Sequence, residues 1–229
     1  MTDTSFNVLA AITRATRVGA LPPSARLDHP GPPPKLQRPL DSEAMLRSFT
    51  AELTALSGTV HRVADDETAV TRVLALLAER GARRILAWDD PWLQPADLGQ
   101  RLREQGVAIE SCWLPATGPE RQARLAELDD VLVGVTGAYG ALADTGSLVV
   151  VSGPGRGRIA SLLPPVHIAV VRGAQLAPTL FDFLAANPAI ADVGSNVVAI
   201  TGPSRTGDIE GTLVLGVHGP GEVHVVLIG

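Results

Sequence analysis

The chain has 229 residues, is 45% hydrophobic and 19% charged, and carries a formal net charge of −5, which suits one sizeable domain or one domain with an appendage. The absence of a basic run, with only 3% aromatics, argues against nucleic acid as a partner, because phosphate backbones are held through clustered Lys and Arg. No apolar run approaches the ~20 residues that span a bilayer, and the N-terminus MTDTSFNVLAAITRATRVGA lacks the basic start and long apolar core of a secretory signal, so a cytoplasmic location without a membrane partner is expected.

In chain order, residues 5–18 have the spacing of a short helix, and the proline-dense stretch 22–39 is an extended connector. Residues 1–40 are therefore expected to form an N-terminal arm, and 41–229 an α/β domain. Asp41 or Ser42 can cap a helix to about Leu56, with Met45, Phe49 and Leu53 on one face. A strand at 59–63 precedes a second helix, opened by Asp65-Asp66-Glu67 and ended by Gly81. Further strands are expected at 84–88, 107–113 and 131–136, with helices at 96–105 and 120–127 between them. This alternation of short β-branched strands with helices is the mark of a three-layer α/β fold around a mostly parallel sheet. The second half is richer in strands, at 147–151, 166–171, 197–201, 213–217 and 223–228. Some of its connections are too short for crossovers, so antiparallel pairs are expected there.

Absences restrict the chemistry. Cys112 is the one cysteine, which leaves no ligand set for an iron–sulfur cluster or a Cys-based zinc site. Lys35 is the only lysine and lies in the connector, so anion recognition falls to Arg and backbone N–H groups. No His/carboxylate cluster has metal-ligand spacing, so no metal site is expected.

Ligands of open α/β sheets bind beyond strand carboxyl ends, which directs attention to the Gly-rich loops of the second half. In SGPGRGRIASLLPP, Gly153, Gly155 and Gly157 allow close backbone approach, Arg156 and Arg158 supply charge, and a helix opening at Ile159 would add its positive end; an ordinary turn is the alternative. In ITGPSRTGDIEG, Arg205 can clamp a carboxylate or phosphate, Ser204 and Thr206 can donate, and Asp208 can pair with Arg205 or act as a base. The alternative there is a structural loop whose charges pair with one another. In GVHGP, His218 is a candidate general acid/base. His167, inside an apolar run, reads as a core histidine. Asp144, in ALADTG, is a candidate carboxylate or simply part of a turn, and Tyr139 is placed to flank a ligand.

Taken together and in this order, ALADTGSLVV, GPGRGRIASLLPPVHIAVV, ITGPSRTGDIEG and GVHGPGEVHVVLI resemble the LUD-domain family, in particular its lactate-utilisation protein C members. The resemblance is strong over about residues 130–229 and looser from about residue 41. It implies a NagB/RpiA/CoA-transferase-like fold. It also implies a part in oxidising L-lactate to pyruvate beside two partners that resemble iron–sulfur oxidoreductase subunits. Clusters are then expected only in those partners, with no cofactor in this chain. Where the family usually has Glu, this chain has the shorter Asp144. In this setting the loop after Ile200 borders a cleft, with Arg205 facing the ligand and Asp208 holding it. The leading reading is a non-redox subunit that binds a small carboxylate or other anion. The alternatives are a stand-alone CoA-transferase-like, isomerase or ligase enzyme, and a structural scaffold.

Overall fold

A computed structural model describes residues 41–207 and 213–229; the helix and connector expected before residue 40 lie outside them, as does Asp208. Two aspartates set the first helix starts. Asp41 accepts from the Ala44 N–H and caps α1, Ser42–Ala55. After β1, Thr59–Val63, Asp65 accepts from the Thr68 N–H at 2.8 Å while the Thr68 hydroxyl accepts from the Asp65 N–H, a capping box that opens α2, Asp66–Glu79. The chain continues through β2 (Arg84–Ala87), α3 (Leu98–Glu104), β3 (Ala108–Ser111), α4 (Gly118–Glu127) and β4 (Val133–Gly137). Then follow β5 (Gly140–Leu142), β6 (Ser147–Ser152), β7 (Val166–Arg172), β8 (Leu176–Ala177), α5 (Leu180–Ala186), β9 (Asn196–Ile200), β10 (Arg205–Gly207), β11 (Leu213–Leu215) and β12 (Glu222–Ile228).

Six strands form one sheet in the order β1-β12-β7-β4-β2-β3, and every pairing in it is parallel. The antiparallel pairs expected in the second half do not join it. They form a second sheet, β8-β5-β6-β9, and a two-stranded β10-β11 ribbon. Three short elements had little sequence signal. β5 lies in the small-residue stretch before Asp144, and Asp144–Gly146 forms the turn between antiparallel β5 and β6. β8 has two residues and α5 has seven, too few to establish a period.

Strand alternation divides the core into two layers. Ile168 and Val170 of β7 and Val226 and Ile228 of β12 pack with Val70, Val73 and Leu77 of α2 and Leu98 and Leu102 of α3. Their neighbours Ala169, Val171, Val225 and Leu227 pack on the opposite face with Leu46, Phe49 and Leu53 of α1 and Ala141, Leu148 and Leu176 of the small sheet. The outer side of the small sheet, Val149 and Val151, is covered by Phe183 of α5 and by Ile190. The result is three layers: helices, parallel sheet, and a mixed layer of α1 with the small sheet.

One contact fixes how the segment after β6 lies on the parallel sheet. A Cβ built on Gly134 of β4 would land on the carbonyl oxygen of Ala160, in the 3-10 turn Arg158–Ser161. Replacement Gly134→Ala is expected to destabilise the fold by about 1–3 kcal/mol, the usual cost of overpacking, read as a lower urea midpoint; an unchanged midpoint would contradict the close approach.

His167 occupies the core position expected of it. It is fully buried in β7, with Nε2 2.8 Å from the Thr136 hydroxyl oxygen. Burial pushes its pKa down to about 4. As pH falls from the ordinary imidazole value toward 4, the unfolded chain takes up a proton that the folded chain refuses. The His167 contribution is therefore complete above about pH 6.5 and declines by about 1.4 kcal/mol per pH unit down to about pH 4. Urea midpoints measured from pH 7 to 4.5 are expected to fall more steeply for the unaltered chain than for His167→Gln. Equal slopes would contradict this.

Candidate functional site

β2 and β4 are neighbours whose onward connections leave in opposite directions: from β2 the chain goes outward to β3, and from β4 it goes toward the β7 side. In α/β sheets a ligand crevice opens beyond the carboxyl ends of two such strands. Trp88, Asp89 and Trp92 follow β2, and Tyr139 follows β4. The loop after β6 brings Arg156 to the same place, its guanidinium carbon 3.8 Å from the Trp92 ring centroid and 5.4 Å from that of Tyr139. The Asp89 N–H donates to the Gly155 carbonyl at 2.8 Å and ties this loop to the end of β2.

Arg156 is 2% exposed. Its Nη2 donates to the Val193 carbonyl at 2.9 Å, while Nε and Nη1 meet no acceptor among the described residues. Arginine does not shed its proton to escape burial. Stacking on aromatic rings offsets about 0.5–2 kcal/mol, against a desolvation penalty of several kcal/mol for a buried ion. The rings and one carbonyl therefore leave the charge undercompensated. The neighbouring glycines also meet packing demands. The Gly153 N–H donates to the Arg156 carbonyl, Gly155 has φ +71°, and a Cβ on Gly157 would run into the Cys112 carbonyl. In place of the helix expected at Ile159 stands the four-residue turn Arg158–Ser161, too short for a developed dipole.

Two cavities adjoin this loop and share Ser152, Arg158 and Leu162. The larger, 1070 Å³, is lined by Cys112, Leu114, Arg121 and Leu125, by Gly153, Pro154 and Arg156–Ile159, and by Asp192–Ser195. The smaller, 230 Å³, lies at the seam between the two sheets. Val150, Val198 and Ile200 of the small sheet, together with Trp88, give it apolar walls, and Arg158, Ser204, His218 and Thr201 supply polar groups. The loop after β9 borders this cavity through Gly202 and Ser204, and the segment before β12 borders it through His218–Pro220. These pieces are joined by the Ser204 N–H to Pro220 carbonyl bond at 2.8 Å and the Gly216 N–H to Ser204 carbonyl bond at 2.9 Å.

The other candidates are placed elsewhere. Arg205 makes no clamp in either cavity; it is exposed, and its Nη2 donates to the Ser57 hydroxyl at 3.0 Å. Alternation explains this, since adjacent side chains of an extended segment point to opposite sides and Ser204 faces the cavity. Thr206, next in β10, lines neither cavity. Asp144 is exposed in the β5–β6 turn, apart from both cavities. The partner expected for Arg205, Asp208, lies outside the described residues. His224 is joined to a different group: its ring stacks on His61 with centroids 5.3 Å apart, and its Nε2 lies 2.7 Å from Arg80 Nη2. Sequence reading missed Trp88 and Trp92 as site residues. Their position just past the end of β2 was the available signal, because strand carboxyl ends are where such sites form.

Comparison with known proteins identifies a family for the chain. A family model described as LUD domain matches residues 46–228. A lactate utilization protein C from Halalkalibacterium halodurans is 36% identical over 149 residues, 63% of this chain and 62% of that protein. Another from Geobacillus sp. is 30% identical over 161 residues, 67% of this chain and 65% of that protein. The chain thus spans about three fifths of the length of these curated relatives. The crystal structure of a DUF162 family protein from Deinococcus radiodurans shares the fold, with a TM-score of 0.57 over 83% of this chain and 100% of that one, at 24% identity.

Cys112, on the wall of the larger cavity, is buried and its thiol points to the Ala87 carbonyl at 2.9 Å. Burial, and then the charge of Asp89, push its pKa up to about 12. Ellman's reagent at pH 8 is expected to leave it unreacted in the native chain and to titrate it after unfolding. Reaction in the native state at the rate of a free thiol would contradict this.

Proposed function

The chain belongs to the LUD-domain family, and from that membership we propose that it is a non-redox, carboxylate-binding subunit of a lactate-utilisation system. The names of its relatives support the system. The observation that carries the binding role is the convergence of Arg158, Ser204 and His218 on one cavity from three separate loops. Its 230 Å³ falls below the ~300–1,000 Å³ of sites for drug-sized ligands, a scale suited to a three-carbon acid. Arg158 takes the carboxylate of lactate or pyruvate. Ser204 and His218 meet the hydroxyl or keto oxygen, and Trp88, Val150 and Ile200 enclose the methyl group.

The proposal assigns electron transfer to partners that resemble iron–sulfur oxidoreductase subunits. A chain with one cysteine lacks the thiolates for a cluster, and that cysteine is buried with a raised pKa. This subunit then contributes substrate or product binding within the assembly.

Calorimetric titration of the purified chain with L-lactate and pyruvate is expected to show saturable binding. Binding should weaken about tenfold or more in Arg158→Ala, the worth of one charge-assisted hydrogen bond, weaken less in His218→Ala, and stay unchanged in Arg205→Ala. Deleting the gene is expected to abolish growth on L-lactate, with restoration by the unaltered gene. Absence of binding would sink the carboxylate role, and normal growth without another lactate dehydrogenase would sink the place in lactate utilisation.

A further inference from the structure

The lactate reading uses the smaller cavity and leaves Arg156 without a role. Three observations about that residue converge. It is 2% exposed, with two guanidinium nitrogens that meet no acceptor among the described residues. It sits at the switch point between β2 and β4, where α/β sheets take their ligands. It also lines a cavity of 1070 Å³, several times the size of the one beside it and far larger than a three-carbon acid needs.

The rest of that cavity indicates the class of occupant. Arg121 and Arg158 add positive charge, and Asp192 is the one acid on the wall. Leu114, Leu125 and Ile159 offer an apolar surface. We propose that the larger cavity receives an organic anion with an extended apolar or aromatic body, held by a carboxylate or phosphate group at Arg156. This site shares Ser152, Arg158 and Leu162 with the lactate pocket, but its anchor, Arg156, lines only the larger cavity and has no part in the lactate reading. The Trp92 indole lies over the guanidinium and is 37% exposed at the end of the 3-10 turn Asp90–Trp92. Because this ring stacks on Arg156, an anion paired with the guanidinium perturbs it, and its fluorescence reports occupancy.

The competing account is that Arg156 is a strut, pinning its loop to Val193 and the two rings with no ligand involved. Titrating the full chain with octanoate, adenosine 5′-monophosphate and inorganic phosphate separates the two, read by tryptophan fluorescence and thermal shift. At least one organic probe is expected to bind saturably and raise the melting temperature. The tighter of octanoate and the nucleotide identifies the head group as carboxylate or phosphate. Binding is expected to weaken at least about tenfold in Arg156→Gln, as for loss of a charge-assisted hydrogen bond, and to be unchanged in Ser204→Ala, which alters only the smaller cavity. If Arg156→Gln does not fold, a crystal structure of the unaltered protein with the tightest probe decides, since its anionic group must lie within hydrogen-bond distance of Arg156. No binding of any organic probe, binding that survives Arg156→Gln, or a probe seated away from Arg156 would overturn the proposal.

Discussion

The Ala160 carbonyl occupies the space that any side chain at position 134 would need. That close approach holds the segment between β6 and β7 against the parallel sheet, and the candidate site follows from it. With the turn Arg158–Ser161 fixed on β4, Arg158 faces the seam between the two sheets, and the preceding residues place Arg156 beside Trp92 and Tyr139. The constraint is steric and local, and its consequence is to join a loop of the small sheet to the carboxyl ends of β2 and β4.

Two arginines two positions apart thereby acquire opposite physics. Arg158 is exposed and borders both cavities, so solvent screens its charge until a ligand enters. Arg156 is buried, and neither π stacking nor one carbonyl balances a desolvated guanidinium. An undercompensated buried charge is a cost to stability that natural chains concentrate at functional sites. The family membership supports a place in lactate utilisation, and these two environments divide the cleft into a smaller pocket bordered by Arg158 and a larger one that reaches Arg156 as well.

Much of the fold was legible because its signals are local. Asp41 and Asp65 marked helix starts that their capping bonds realise, and the apolar runs of β7 and β12 are buried on both faces, as parallel strands require. The departure of β6 and β9 into a second sheet was not legible, since β-branched apolar residues fit either sheet and the choice rests on pairing between distant segments. The site was read in part. The loops that border the cleft were the expected ones, yet which side chain faces inward depended on features with no sequence period. Arg156 is buried because Trp92, from a distant loop, stacks on it. Arg205 is turned outward by the alternation of β10, a three-residue strand whose Arg-Thr-Gly sequence carries no alternating pattern. Gly153 and Gly157, read for close approach of an anion, also stand where a Cβ would meet Arg156 and Cys112, a packing demand that the sequence does not display.

The central claim is that small-carboxylate binding occurs at the seam between the two sheets. The most direct test is a methyl NMR titration of the purified chain with L-lactate. Val150, Val198 and Ile200 line the seam, whereas Leu142, Val149 and Val151 pack on the outer side of the small sheet with Phe183 and Ile190. The account predicts saturable shifts confined to the first group. Shifts centred on the second group, or none at saturating lactate, would contradict it.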